Sequence, residues 1–253
     1  MLEQIDYPAL AAGVLEPARA VVLRELDRAG LSGDLAGSVL AALQQLVHTP
    51  LGAELGGLRL ADLEPGGWLN EMAFDLPLAI AGERLVRSSG LAELFRRHDG
   101  GRFGSAYGRQ LQELSVASRG FLTGSIDLVF RCGERWWVAD WKSNFLGQRD
   151  PQAAAVRCGP NDYSTAAMEQ LMAANHYPLQ AHLYLVALHR YLRWRLPGYA
   201  PERHLGGYAY VFLRGVPGPM EREPGGDVPG VLVDRPPLAR LQALDVLLRE
   251  GQP

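Results

Sequence analysis

Asp127, Asp140 and Lys142 stand inside two apolar runs that otherwise read as core strand, in "GSIDLVFRCGERWWVADWKSN". Phe121 to Arg131 and Arg135 to Asn144 are rich in Val, Ile, Phe and Trp, and Gly133-Glu134 between them suits a two-residue hairpin turn with Gly first. In that register Leu128 faces Ala139, Asp127 faces Asp140 and Ser125 faces Lys142. Directly opposed residues have Cβ atoms about 4.5–5.5 Å apart on one side of the sheet, and alternation puts Lys142 on that side too. Two facing carboxylates repel, and burying them is costly unless a cation compensates. Oxygen ligands completed by water suit Mg²⁺ or Mn²⁺ better than zinc. A lysine beside such an ion can position or deprotonate water and stabilise charge on a phosphate, a set of parts for phosphodiester hydrolysis. The plainer alternative is the polar face of a half-exposed hairpin, with Lys142 as an ion-pair partner, and a different loop length would break the facing pair.

The elements that must position these residues follow from periodicity and punctuation. Helices are predicted over Leu15 to Gly30, about Leu35 to Val47, and Ser88 to His98. Another runs through Ala174 with Asn161 or Asp162 as cap, followed by Tyr177 to Arg195 and about Pro237 to Arg249. Strands are predicted over Trp68 to Ile80 and Gly206 to Arg214, with a short one after Gly230. Gly147 to about Asn161 reads as a loop, and the Pro- and Gly-rich stretch 215–230 as a mobile one. With no repeat, heptad run or clear linker, the pattern is one mixed α/β domain over 1–253.

Composition narrows the function. The chain has 253 residues, 47% hydrophobic and 21% charged, enough to bury a sizeable core. No run is long and apolar enough for a membrane span and no signal peptide opens the sequence, so the expectation is a cytoplasmic protein without a membrane partner. Cys132 and Cys158 are too few for a disulfide framework, a structural zinc site or a four-cysteine cluster. The net charge of −3 argues against unaided polyanion binding, so any nucleic acid must be delivered. No G-x-x-x-x-G-K-[ST] loop is present, so ATP dependence would come from other domains.

Gly124-Ser125-Ile126-Asp127, Asp140-Trp141-Lys142 and Gln180-Ala181-His182-Leu183-Tyr184 resemble, in order and spacing, the G-x-x-D, D-x-K and Q-x-x-x-Y motifs of the RecB-type nucleases within the PD-(D/E)xK superfamily. "DWKSNFLG", "YPLQAHLYLVALHRYLR" and "GGYAYVFLRGV" bring the likeness close to the exodeoxyribonuclease V type, from about Trp68 onward and more weakly before it. The resemblance implies a restriction-endonuclease-like mixed central sheet flanked by helices, with the hairpin at its centre. It implies Mg²⁺, replaceable by Mn²⁺, held by Asp127, Asp140 and the backbone carbonyl of Trp141, with Lys142 catalytic. Glu71 resembles the acidic residue of an earlier strand near the site. Gln180 and Tyr184, four apart on one helical face, would orient the D-x-K strand or touch the DNA backbone.

The implied partners are DNA fed as single strands by a helicase, RecC-like and RecD-like subunits, the rest of a RecB-like chain, and a RecA-like recombinase. The chain departs from the family in having no G-x-x-x-H before its first strand, whose His would be a further ligand. His48 departs from that pattern because Gln44 stands four residues before it. The expectation is a chain beginning just past that helix, weakly active or inactive by itself. Two other readings stand beside the nuclease: a nuclease-like module that docks or regulates partner subunits, and a free-standing single-strand exonuclease.

Among the remaining features, Arg190, Arg193 and Arg195, and Arg96-Arg97-His98, read as solvated helix ends. Trp136, Trp137 and Trp141 read as hairpin core. His176, His182 and His189, read as lying on one helix, lack an acidic cluster that would make them a metal site.

Overall fold

The computed structural model describes residues 1–79, 84–147, 158–220 and 226–252. The strands are β1 (Trp68–Leu78), β2 (Val86–Arg87), β3 (Ala117–Ser118), β4 (Gly120–Cys132), β5 (Arg135–Lys142), β6 (Leu205–Phe212) and β7 (Val231–Asp234). A five-stranded sheet runs β1-β4-β5-β6-β7, with β5–β6 parallel and its other pairs antiparallel, while β2 and β3 form a separate ribbon. Every residue of β6 is buried. Tyr208, Tyr210 and Phe212 face one apolar cluster and Ala209 and Val211 the other, the composition of a strand covered on both faces.

The N-terminal helices α1 (Tyr7–Ala11), α2 (Leu15–Arg28) and α3 (Ala36–His48) cover one face. The other is covered by α4 (Ser88–Arg97), α5 (Ser105–Gln112), α6 (Thr165–Ala174), α7 (Tyr177–Arg195) and α9 (Leu238–Glu250), with the single turn α8 (Pro201–His204) leading into β6. This is the restriction-endonuclease-like mixed sheet flanked by helices. Among the described residues no helix is long and apolar enough to cross a membrane.

Several local expectations need correction. Ser164, not Asn161 or Asp162, caps α6, because residues 160–162 are spent in a 3-10 turn. Sequence reading missed α1, α5 and the β2–β3 ribbon, which are too short to show a period. His176 precedes α7 as its N-cap rather than lying on it. Arg190 is no solvated helix end: its Nε meets Asp245 Oδ1 at 2.6 Å, largely shielded from water. β1 ends at Leu78, and Ile80, where the strand was expected to end, lies outside the described residues, as do 148–157 of the expected loop and 221–225 of the 215–230 segment. The flanks of that last segment are tied down, Gly218 N–H donating to Thr49 Oγ1 at 3.1 Å and Gly230 N–H to the Tyr163 carbonyl at 3.3 Å.

Candidate metal and phosphodiester site

The hairpin keeps the expected register from Cys132↔Arg135 to Leu128↔Ala139. Gly133 takes φ +59° to make the turn. One step further the ladder stops. The Trp141 N–H, which would have bonded Ile126 in the next pair, donates instead to Asp127 Oδ2 at 2.9 Å, and Ile126 keeps its β1 partner Met72 on the other edge of β4. Asp127 and Asp140 are therefore not a ladder pair, nor are Ser125 and Lys142: the carboxylate itself wedges β4 away from β5. Ser125 keeps its β1 partner, Ala73, and has no partner in β5. A strand residue points its N–H and C=O the same way, so the Trp141 carbonyl looks into the same splay.

On the α7 side of the sheet, Asp140 is 3% exposed. Burial pushes its pKa up to about 6, Lys142 pulls it back, and the nearby charge of Asp127 raises it further. Lys142 Nζ lies 2.5 Å from Asp140 Oδ2 as an ion pair, yet no aligned hydrogen bond reaches that buried oxygen. The ammonium also donates to Gln180 Oε1 at 3.1 Å and sits 4.1 Å from the centre of the Tyr177 ring. Gln180 is held in turn by Tyr210, whose hydroxyl donates to its Oε1 at 2.9 Å, while its Nε2 donates to Tyr184 at 2.8 Å. Burial and the two aspartates raise the Tyr184 pKa, so its hydroxyl stays protonated.

Asp127, Asp140, Lys142, Gln180 and Tyr184 are thus brought together. Glu71 is not part of this network. It is exposed at φ +50°, in β1 between Asn70↔Leu128 and Met72↔Ile126, and so level with Asp127. Residues held at positive φ without being glycine are strained, and such strain gathers at functional sites. Among the described residues no three His, Cys, Asp or Glu side chains come together as a metal cluster, so neither Glu71 nor His48 joins the aspartates as a third ligand. What remains fits a hard divalent ion: two carboxylates, one of them buried with the Lys142 ammonium as its counter-cation, and a backbone carbonyl turned into the splay.

No protein-family model matches the chain. Among curated proteins, the RecBCD enzyme subunit RecB of Mycolicibacterium smegmatis is 39% identical over 220 residues, covering 84% of this chain and 20% of that protein. The same subunit of Mycobacterium tuberculosis (strain H37Rv) is 38% identical over 238 residues, 90% of this chain and 20% of the relative. That of Escherichia coli (strain K12) is 41% identical over 160 residues, 63% and 12%. The chain belongs to the RecB family. It spans about a fifth of the length of the mycobacterial RecB subunits it matches.

Sequence reading of this RecB-family chain missed three aromatic residues at the site. Tyr177 lies one helical turn before Gln180, a spacing that could have flagged it. Tyr210 pairs with Asp140 across the parallel β5–β6 ladder, which no sequence spacing reveals. Phe74 lies over Gly124, the first residue of the G-x-x-D motif, and meets the Tyr184 ring edge-on with centroids 5.8 Å apart. A Cβ on Gly124 would come within 2.6 Å of the Phe74 ring, so the glycine is there for close approach. Gly124→Ala should push Phe74 against Tyr184 and destabilise the fold by about 1–2 kcal/mol in a urea titration, and Phe74→Leu should relieve most of that loss.

Proposed function

We propose that this chain is the nuclease portion of a RecB-like helicase–nuclease subunit, a Mg²⁺-dependent deoxyribonuclease of the exodeoxyribonuclease V type. It would hydrolyse DNA phosphodiester bonds during double-strand break repair by homologous recombination. The observation that carries this reading is the linked chain Asp140–Lys142–Gln180–Tyr184, with the Asp127 carboxylate on the Trp141 amide beside it.

Asp127, Asp140 and the Trp141 carbonyl would hold the ion, which when bound would lower the pKa of an attacking water and stabilise charge on the phosphate. Asp140 supplies a carboxylate whose burial excludes competing water. Lys142 supplies a cation beside it, to orient the nucleophile or to stabilise negative charge on phosphate oxygens. Gln180 and Tyr184 fix those two side chains to α7, so the D-x-K strand and the helix act as one rigid unit.

The acidic net charge suits a domain to which single strands are fed by a helicase in the rest of a RecB-like chain, alongside RecC-like and RecD-like subunits and ahead of a RecA-like recombinase. A second reading, a catalytically weak module that docks partner subunits, is favoured by the absence of a third acidic or histidine ligand among the described residues.

A Mg²⁺ or Mn²⁺ titration of single-strand cleavage decides between them, using this chain and the same chain preceded by a G-x-x-x-H helix. Divalent-dependent cleavage by the extended chain, abolished by Asp140→Ala, supports the nuclease. An inert extended chain whose metal binding ignores Asp140→Ala leaves only the docking module.

A further inference from the structure

Lys142 is the cation that neutralises Asp140 when no metal is present, and a divalent ion on Asp140 Oδ2 would compete with it for that oxygen, because two cations on one buried carboxylate oxygen repel each other. Where the ammonium then goes decides whether it remains beside the substrate. Apart from Asp140, its described contacts are Gln180 Oε1 at 3.1 Å and the ring faces of Tyr177 and Tyr210, whose centres lie 4.1 and 5.2 Å from Nζ. The two rings stack at 5.8 Å, 20° from parallel. The Tyr177 hydroxyl donates to Asn144 Oδ1 at 3.2 Å, and the Tyr210 hydroxyl, sharing its one proton with Gln180 Oε1, reaches the Tyr177 carbonyl at 3.1 Å. The aromatic wall is thus tied to β6, to α7 and to the segment just after β5.

Resting on the metal-nuclease reading, we propose that Tyr177 is a positioning residue for Lys142. Its ring, backed by Tyr210, seats the ammonium that metal binding displaces from Asp140 and keeps that charge next to the ion instead of letting the long side chain swing into solvent. An aromatic face attracts a cation without forming an ion pair, so the seat holds Lys142 without neutralising it.

The test is a calorimetric titration of Mn²⁺ into the full chain and its variants, a readout that needs no cleavage. Tyr177→Leu should weaken Mn²⁺ binding about three- to tenfold, since the displaced ammonium loses its seat, and Tyr177→Phe, which keeps the ring face, should restore most of the affinity. Lys142→Met should tighten binding by removing the competitor, and adding Tyr177→Leu to it should change nothing further. If Tyr177→Leu has no effect, or weakens binding equally in the Lys142→Met background, the ring does not act through Lys142 and the inference is overturned while the metal site stands. If no variant binds Mn²⁺, even when preceded by a G-x-x-x-H helix, the metal reading itself fails and the inference falls with it.

Discussion

On the nuclease reading, Asp140→Asn is expected to abolish divalent-dependent cleavage by the chain preceded by a G-x-x-x-H helix, a loss of at least about a thousandfold, and at the same time to make the metal-free protein more stable at neutral pH. Both effects come from the same buried oxygen. As a carboxylate Asp140 can bind a hard cation, whereas the amide presents one neutral carbonyl oxygen. In the absence of metal, burial raises the folded-state pKa of Asp140 to about 6, against 3.8 for the ordinary carboxyl. The folded chain then binds more protons than the unfolded chain between those values, so stability falls as pH rises. The penalty is absent below about pH 4, grows through pH 6, and is complete at pH 7–8, where it amounts to about 3 kcal/mol. Urea unfolding in chelator should therefore show Asp140→Asn more stable than the wild type at pH 8 and equal to it at pH 4. An equal gain at both pH values would mean that burial of the charge is not the source.

Arg240→Met and Arg240→Lys should each lower stability by about 3–5 kcal/mol. Arg240 on α9 is fully buried, and no carboxylate pairs with it among the described residues. Its guanidinium is satisfied by carbonyls of the turn between α4 and α5: Nε and Nη2 donate to His98 at 2.9 and 2.6 Å, Nη2 to Gly100 at 2.7 Å, and Nη1 to Phe103 at 2.7 Å. The carbonyls near the end of α4 are the negative end of that helix, so the cation also complements its dipole. The guanidinium lies over the Phe95 ring, 4.6 Å from its centre. Methionine fills much of the volume and leaves these carbonyls without donors. Lysine keeps a charge but lacks the planar fork.

The same arginine contacts His182 Nε2 at 3.3 Å, which makes Nε2 the acceptor and leaves Nδ1–H to donate to the Pro178 carbonyl at 2.6 Å. Burial pushes the His182 pKa down to about 3, the Pro178 bond opposing and Arg240 adding to the shift. The unfolded chain therefore takes up the proton first, and stability contributed here is lost as pH falls from 6.5 toward 3.

Sequence alone determined the hairpin and the residues it carries. Alternating apolar runs around Gly133-Glu134 set its register as far as Leu128↔Ala139, and helical spacing put Gln180 and Tyr184 on one face of α7. These are local facts, settled by turn chemistry and periodicity within a few residues. Tertiary structure decided the rest. Asp127 takes the Trp141 amide and ends the ladder where the facing pair had been expected, because a carboxylate that accepts a backbone N–H can replace the partner strand. "PPLARLQALD" reads as an ordinary amphipathic helix start, yet Arg240 is among the most buried side chains, because the carbonyls that hold it lie some 140 residues earlier in the chain. The Lys142 seat was hidden in the same way: Tyr210 is level with Asp140 only through the parallel β5–β6 pairing, a long-range register that no local pattern encodes.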